Sequence, residues 1–430
     1  MAERSGQRRC NRSAARKSDK PLMQEATEGK TPRLWVVTEL YYPEETSTGY
    51  YLTRIAEGLA EDRDVKVLCG QPNYSARGII APRHEFHKGV EIFRVSGTTL
   101  DKNVIPFRLI NMLTLGLSVF FKAMRNFRKG DRVLVVTTPP SMPFIVALAA
   151  LAKGASYVPL IHDNYPEILV AVGKSRPGSW LSTTIDFFNR WLYKYAEKII
   201  VVGRDMHDLL TRKTSGLDVP IVTIPNWAEL ESVNPAPRSE NRLLEELGLI
   251  DKFVLLYAGN LGHPNDLESI IESADKLRGE ESIHFVFLGT GAKRKWLELQ
   301  VKKRVLSNVT LLDPRPRTEQ TVFLNACDIA IVSLVKNMLG VSMPSRTYNI
   351  LASGKPILAL ADEDSEVARV VSEDRVGWVV PPGDAGALTR TIMDALNHRD
   401  DLPAMGRRSR ESALAKYSLN TALEKYRDAV

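Results

Sequence analysis

From Leu34 onward, short runs of aliphatic and β-branched residues alternate with longer stretches of helical character. The first runs are LWVVT (34–38), VKVLC (65–69), EIFRV (91–95), VLVVT (133–137), YVPLI (157–161) and KIIVV (198–202), each bounded by turn residues or charges. Strands that alternate with helices predict parallel sheets joined by right-handed crossovers. A polar stretch rich in Pro, Ser and Asn, Ser232 to Asn241, then interrupts the pattern and reads as a linker. A second series follows: FVLLYAG (253–259), HFVFLG (284–289), NVTLL (308–312), DIAIV (328–332), PILAL (356–360) and GWVV (377–380). The expected architecture is α/β, two Rossmann-like domains facing across a cleft, over 33–230 and 243–408 with the linker at 231–242. Ligands of open parallel sheets bind beyond the carboxyl ends of the strands. The segments to watch are therefore YPEETSTGYY (42–51), TTPPSMP (137–143), HDNYPE (162–167), GNLGHPND (259–266), GTGAKRK (289–295), DPRPR (313–317) and GVSMPSRTYN (340–349).

Composition narrows the class. With 430 residues, 44% hydrophobic and 25% charged, the chain is neither collagenous nor a disulfide scaffold. Cys10, Cys69 and Cys327 are odd in number and far apart, which argues for a reducing, cytoplasmic setting. Of the net charge of +7, residues 1–33 hold nine Arg/Lys against four acids, so the rest is close to neutral. That balance argues against a nucleic-acid protein, and the polar residues 1–32 read as a disordered basic tail. The longest apolar run, Leu109 to Phe121, lies between Arg108 and Lys122. As a helix it would reach about 20 Å, short of the ~30 Å hydrocarbon core. It predicts either a core helix or one resting on a membrane surface beside Arg108, Lys122, Arg125, Arg128 and Lys129.

YYPEETSTGYYLTRIAEGLA, TTPP, HDNYPE, IPNWAE, YAGNLGHPNDLESII, FLGTGAKRKWLE and PSRTYNILASGKPILA, in this order, resemble the family 4 retaining glycosyltransferases of the GT-B fold. The likeness runs from about Leu34 to the C-terminus and is nearest to the WbuB-like subgroup of O-antigen, capsule and exopolysaccharide synthesis. It implies a nucleotide-sugar donor held by the C-terminal domain, an acceptor held by the N-terminal domain, and no obligatory metal or other cofactor. It also implies that the last helix, around Ser418 to Ala429, crosses back to the N-terminal domain, so 409–430 is set apart.

The chemistry of the loops agrees. A diphosphate is bound by amides at helix N-termini and by fixed cations. Gly289, Gly291 and Lys293 fit that need, as do Gly340, Val341 and Ser342; Ser345 leads into Arg346, whose guanidinium suits phosphate oxygens. The resemblance assigns leaving-group stabilisation to Arg346, Lys293 and the Gly49 backbone, places His162 beside the donor sugar, and has Asp163 orient hydroxyls. It puts the base near Arg315 to Arg317; Thr48 and Tyr51 are expected on the acceptor side, where Glu167 reads equally as an acceptor contact or as a charge at a helix start. Four positions depart from the family pattern. Val341 and Asn349 occupy the two places of a Glu-x7-Glu pair, leaving Asn349 to accept from ribose through its amide oxygen. Asn260 and Asn265 stand where Arg and Lys often follow the first strand of the domain, which moves phosphate neutralisation to Arg346 and Lys293.

Other features read as bland. His84 and His87 lack a third metal ligand, Asp362-Glu363-Asp364 reads as a solvated turn, and GTGAKR lacks the third glycine of a dinucleotide fingerprint. The expected activity is transfer of a sugar from a nucleotide diphosphate to a growing glycan on a polyprenyl diphosphate, at the cytoplasmic membrane face. Two alternatives stay open: a sugar-nucleotide 2-epimerase on the same fold, and a non-catalytic nucleotide-sugar-binding partner subunit.

Overall fold

The computed structural model describes residues 32–73, 78–100 and 105–430, so the basic tail falls outside the described residues. Fourteen strands are described: β1 (Leu34–Thr38), β2 (Val65–Cys69), β3 (His84–His87), β4 (Val90–Arg94), β5 (Arg132–Val136), β6 (Ser156–Ile161), β7 (Ile199–Val201), β8 (Ile221–Thr223), β9 (Phe253–Ala258), β10 (Ile283–Leu288), β11 (Val309–Leu312), β12 (Ile329–Ser333), β13 (Ile357–Leu360) and β14 (Gly377–Val380). They form an eight-stranded sheet in the order β3-β4-β2-β1-β5-β6-β7-β8 and a six-stranded sheet in the order β11-β10-β9-β12-β13-β14. Every pairing is parallel except β3 with β4. The central strands are buried on both faces, which is why they read as unbroken apolar runs. Strand order reverses between β1 and β5 and again between β9 and β12, and crevices open beyond the carboxyl ends of strands at such points.

The helices on these sheets are α1 (Ser47–Leu59), α2 (Ile105–Asn126), α3 (Met142–Lys153), α4 (Glu167–Ala171), α5 (Trp180–Lys194), α6 (Arg204–Lys213), α7 (Arg242–Glu246), α8 (Leu267–Lys276), α9 (Arg294–Arg304), α10 (Gln320–Leu324), α11 (Arg346–Ala352), α12 (Glu366–Glu373), α13 (Ala385–Asn397), α14 (Leu402–Lys416) and α15 (Leu419–Ala429). The 408 boundary falls inside α14, which packs on α11, and the chain turns at Tyr417–Ser418. Beyond the turn, α15 packs on α1: Gly58 faces Leu423, and Arg427 donates to the Gly58 carbonyl at 3.2 Å. The segment between the sheets is tied down, with Ala228 N–H donating to Tyr417 O at 2.9 Å and Arg410 to Val233 O at 2.8 Å.

The apolar run at 109–121 needs correction. It is the middle of a 22-residue helix, α2, about 33 Å long. The segment Pro106–Asn126 is long and apolar enough to cross a membrane by length and composition, and only 22% of its most apolar 18 residues is buried. Val119 and Ala123 face the core, while Phe107, Leu109, Ile110, Leu113, Leu117 and Phe121 are exposed. Arg108 and Lys122 do not end the helix, because a charge on its solvent side breaks no backbone hydrogen bond. The two strands absent from the sequence reading, β3 and β8, are a polar edge hairpin arm and a three-residue segment.

Candidate functional site

β9 and β10 are each followed directly by a glycine, and the loops after them nest: a Cβ on Gly289, at φ +146°, would meet the Gly259 carbonyl at 2.0 Å. Gly259 in turn makes room for Arg346, the first residue of α11; a Cβ there would lie 2.8 Å from its Cζ. The guanidinium lies over the Tyr257 ring at 4.6 Å, and its Nη1 is buried without a hydrogen-bond partner. A cation held in this way is completed by an anion that accepts from it. The surrounding cleft, about 680 Å³, is also lined by Asn260, Thr290, Arg315 and Asn349, and across it by Thr46, Ser47 and Thr48 at the start of α1. The two helix starts meet where Ser47 Oγ lies 2.7 Å from Ser345 Oγ.

The outer end of this cleft holds a cluster that sequence reasoning missed. Glu229 pairs with Arg317, whose guanidinium stacks 3.8 Å from the Tyr50 ring centroid. Asn349 does not offer a free amide oxygen: Oδ1 accepts from Glu229 N–H at 2.8 Å, and Nδ2 donates to Glu229 Oε1 at 3.3 Å and Gln320 Oε1 at 3.4 Å. Asn349, which lines the cleft, therefore fixes Glu229. Burial and Glu229 push the Tyr50 hydroxyl up to about 12, against the opposing charge of Arg317. The available signal was Glu229 within IPNWAE, a segment used for family likeness but given no role.

A cavity of about 120 Å³ adjoins the cleft and brings together Ser47, Thr48, His162, Asp163, Ser342 and Ser345. His162 follows β6, with its N–H donating to Thr137 Oγ1 at 3.1 Å. Its Nε2 is buried without a partner, and burial pushes the imidazole down to about 4, so it is neutral near pH 7. Burial raises the Asp163 carboxyl, while a hydrogen bond from the Ser342 side chain opposes the rise. The backbones of Asp163 and Ser342 also form an isolated antiparallel bridge between the two halves. Tyr51 borders the cavity, but its hydroxyl donates to Trp227 O at 3.0 Å and so is taken up by the scaffold.

Several expected ligand groups are turned elsewhere. Lys293 Nζ donates to Asn265 O at 2.9 Å and Glu268 Oε2 at 2.8 Å, which removes it from phosphate neutralisation. Gly340 N–H is bonded to Asp205 Oδ2 at 2.9 Å and Val341 N–H to Met338 O at 3.0 Å, so neither amide is free for a diphosphate. Gly49 N–H points to the Thr46 cap at 3.4 Å, and Gly291 packs against Asn260 and Leu261. Glu167 is ion-paired to Lys213 at 2.6 Å. Arg315 lines the cleft while bonded to Glu319 at 2.9 Å. Asp362 is not a solvated turn residue, since Oδ2 accepts from Met338 and Leu339 N–H. Among the described residues no three His, Cys, Asp or Glu side chains are grouped to hold a metal ion. A further polar cavity of about 540 Å³ on the N-terminal side contains Glu39, Asn73, Arg108, Asn111, Asp163 and Tyr165.

Comparison with known proteins agrees with this geometry. Residues 47–227 match the family described as glycosyl transferase 4-like domain, and residues 241–412 match the family described as glycosyl transferases group 1. The chain is 29% identical over 408 residues to the probable glycosyltransferase WbjE of Pseudomonas aeruginosa, covering 92% of this chain and 96% of that one. It is 27% identical over 370 residues to the putative colanic acid biosynthesis glycosyl transferase WcaI of Escherichia coli, covering 83% and 90%. Among solved structures, Anabaena Alr3699/HepE in complex with UDP-glucose superposes with a TM-score of 0.68 at 14% identity, covering 92% of this chain and 98% of that one.

Proposed function

We propose, from the premise that this chain is a glycosyltransferase of the GT-B fold acting in glycan biosynthesis, that it is a retaining hexosyl- or amino-sugar transferase of the WbuB-like kind. It takes the sugar from a nucleoside diphosphate and adds it to a polyprenyl-linked surface glycan at the cytoplasmic face of the membrane. The observation that carries this reading is Arg346: a buried guanidinium with an unpartnered Nη1, pressed between Tyr257 and Gly259 at the head of the cleft. The bond between the anomeric carbon and the diphosphate oxygen breaks as an acceptor hydroxyl adds on the same face. Arg346 and the positive end of α1 take up the charge that the diphosphate gains. Neutral His162 lies beside the sugar, and Asp163 orients the incoming hydroxyl, whose proton leaves with the diphosphate. Glu229, held in place by Asn349, offers its carboxylate to the ribose. A relative named for colanic acid synthesis and a fold neighbour solved with UDP-glucose support the glycan and the donor class.

The test is a thermal-shift and calorimetric screen of UDP, GDP, ADP, TDP and their sugars, since a ligand that binds only the folded state raises its stability. One diphosphate should bind saturably, and Arg346→Ala should weaken it at least tenfold and abolish transfer while the fold persists. Absence of binding at millimolar concentration, or unchanged affinity in Arg346→Ala, would remove the diphosphate role.

A further inference from the structure

Next to the polar N-terminal cavity lies a second one, about 380 Å³, that a sugar would not fill. It opens between α3 and α5, and its walls are largely carbon: Pro143, Phe144, Ile161, Ile185, Phe188 and Leu192. Phe144 and Phe188 meet edge to face across it at 6.4 Å. Its volume lies within the range of sites that enclose small ligands, and an apolar wall of this kind selects hydrocarbon. The two cavities share Thr137, Pro140, Asp163 and Tyr165, so the slot opens directly from the polar cavity. Arg108 lines the polar cavity, and its charge bears on the Tyr165 hydroxyl. On the outside of the same two helices, Trp180, Phe187, Leu148 and Leu151 are exposed.

Polar cavity, cation, apolar slot and exposed apolar rim repeat the order of parts in a lipid-linked sugar: glycan, diphosphate, isoprenoid chain, bilayer. We infer that the α3–α5 slot receives the first isoprenoid units of the acceptor's lipid carrier, with Arg108 at the carrier's diphosphate. This rests on the lipid-linked acceptor proposed above and adds where its chain runs. The slot makes the carrier part of acceptor recognition, so a sugar on a short soluble aglycone is a poorer substrate than the same sugar on a prenyl diphosphate.

The experiment is photo-crosslinking of the full chain with a diazirine-bearing geranylgeranyl diphosphate, followed by peptide mapping. The label should fall on α3 and α5, be displaced by unlabelled geranylgeranyl diphosphate, and drop at least tenfold in Ile185→Trp, which fills the slot, and in Phe188→Ser, a change at an exposed position. In turnover, both variants should raise KM for a geranylgeranyl-diphosphate-linked sugar about tenfold and leave its methyl glycoside unaffected. Labelling confined to α2, or equal in wild type and both variants, overturns the slot while lipid-dependent turnover upholds the acceptor reading. Slot labelling without turnover of any lipid-linked sugar overturns the acceptor reading, and with it the carrier assignment.

Discussion

Protonating the His162 imidazole works against the fold. An unfolded histidine titrates near 6.5, whereas burial moves this one to about 4. Above pH 6.5 both states are neutral and the contribution is complete; as pH falls from 6.5 to 4 the unfolded chain gains a proton that the native state refuses. Stability should therefore fall by about 1.4 kcal/mol per pH unit, roughly 3 kcal/mol over the window. Melting temperatures followed from pH 7 to 4 should drop less for His162→Gln than for wild type, and parallel curves would show that the site does not hold the ring neutral. At pH 7, His162→Ala should lower turnover by about 10² or more with a smaller loss of nucleotide affinity; unchanged turnover would return His162 to a purely structural role. Arg346 was legible because Pro344-Ser345-Arg346 leads directly into an apolar helix. The pairing of Glu229 with Arg317 was not, because it spans 88 positions and only the strand order of two sheets brings them together.

Strands buried on both faces announce themselves as apolar runs, which is why β1, β5 and β9 could be read closely from the residues alone. An edge strand such as β3, with alternating exposure and two histidines, carries no such run. Helix ends are harder still. Charges beside Leu109 and Phe121 look like stops, yet α2 begins at Ile105 with Pro106 in its first turn, where proline is tolerated, and continues to Asn126. Its exposed row of Leu113, Leu117 and Phe121 beside Lys122 and Arg125 has the chemistry of an interfacial helix. The double change Leu113→Glu and Leu117→Glu should abolish co-sedimentation with anionic vesicles while shifting stability by no more than about 0.5 kcal/mol, as for other exposed positions. Retained vesicle binding would move membrane contact to another surface. Thr46→Ala removes the cap of α1 and should cost about 1 kcal/mol in chemical denaturation.

The two halves are joined by more than the linker. Asn164, almost fully buried, donates its backbone N–H to Val341 O at 2.8 Å and its side-chain amide to Gly340 O at 2.7 Å. Arg204 reaches from α6 to Glu366 and Glu373 of α12, and α15 straps the C-terminus onto α1. Asn164→Ala should destabilise the fold by about 1–3 kcal/mol in denaturant titration, because it leaves a buried carbonyl without its donor; a neutral outcome would mean the halves do not rely on that contact. The joining contacts were beyond the reach of periodicity, which orders elements along a chain and says nothing of which loops interlock. They also bear on how such a protein diversifies. The main chain of 338–341 is held by Asp362, Asp205 and Asn164 irrespective of the side chains that follow. Met343, which borders the small cavity beside His162, is therefore a position where a lineage can exchange the side chain while the loop keeps its course, whereas the Ser342 side chain is committed to Asp163.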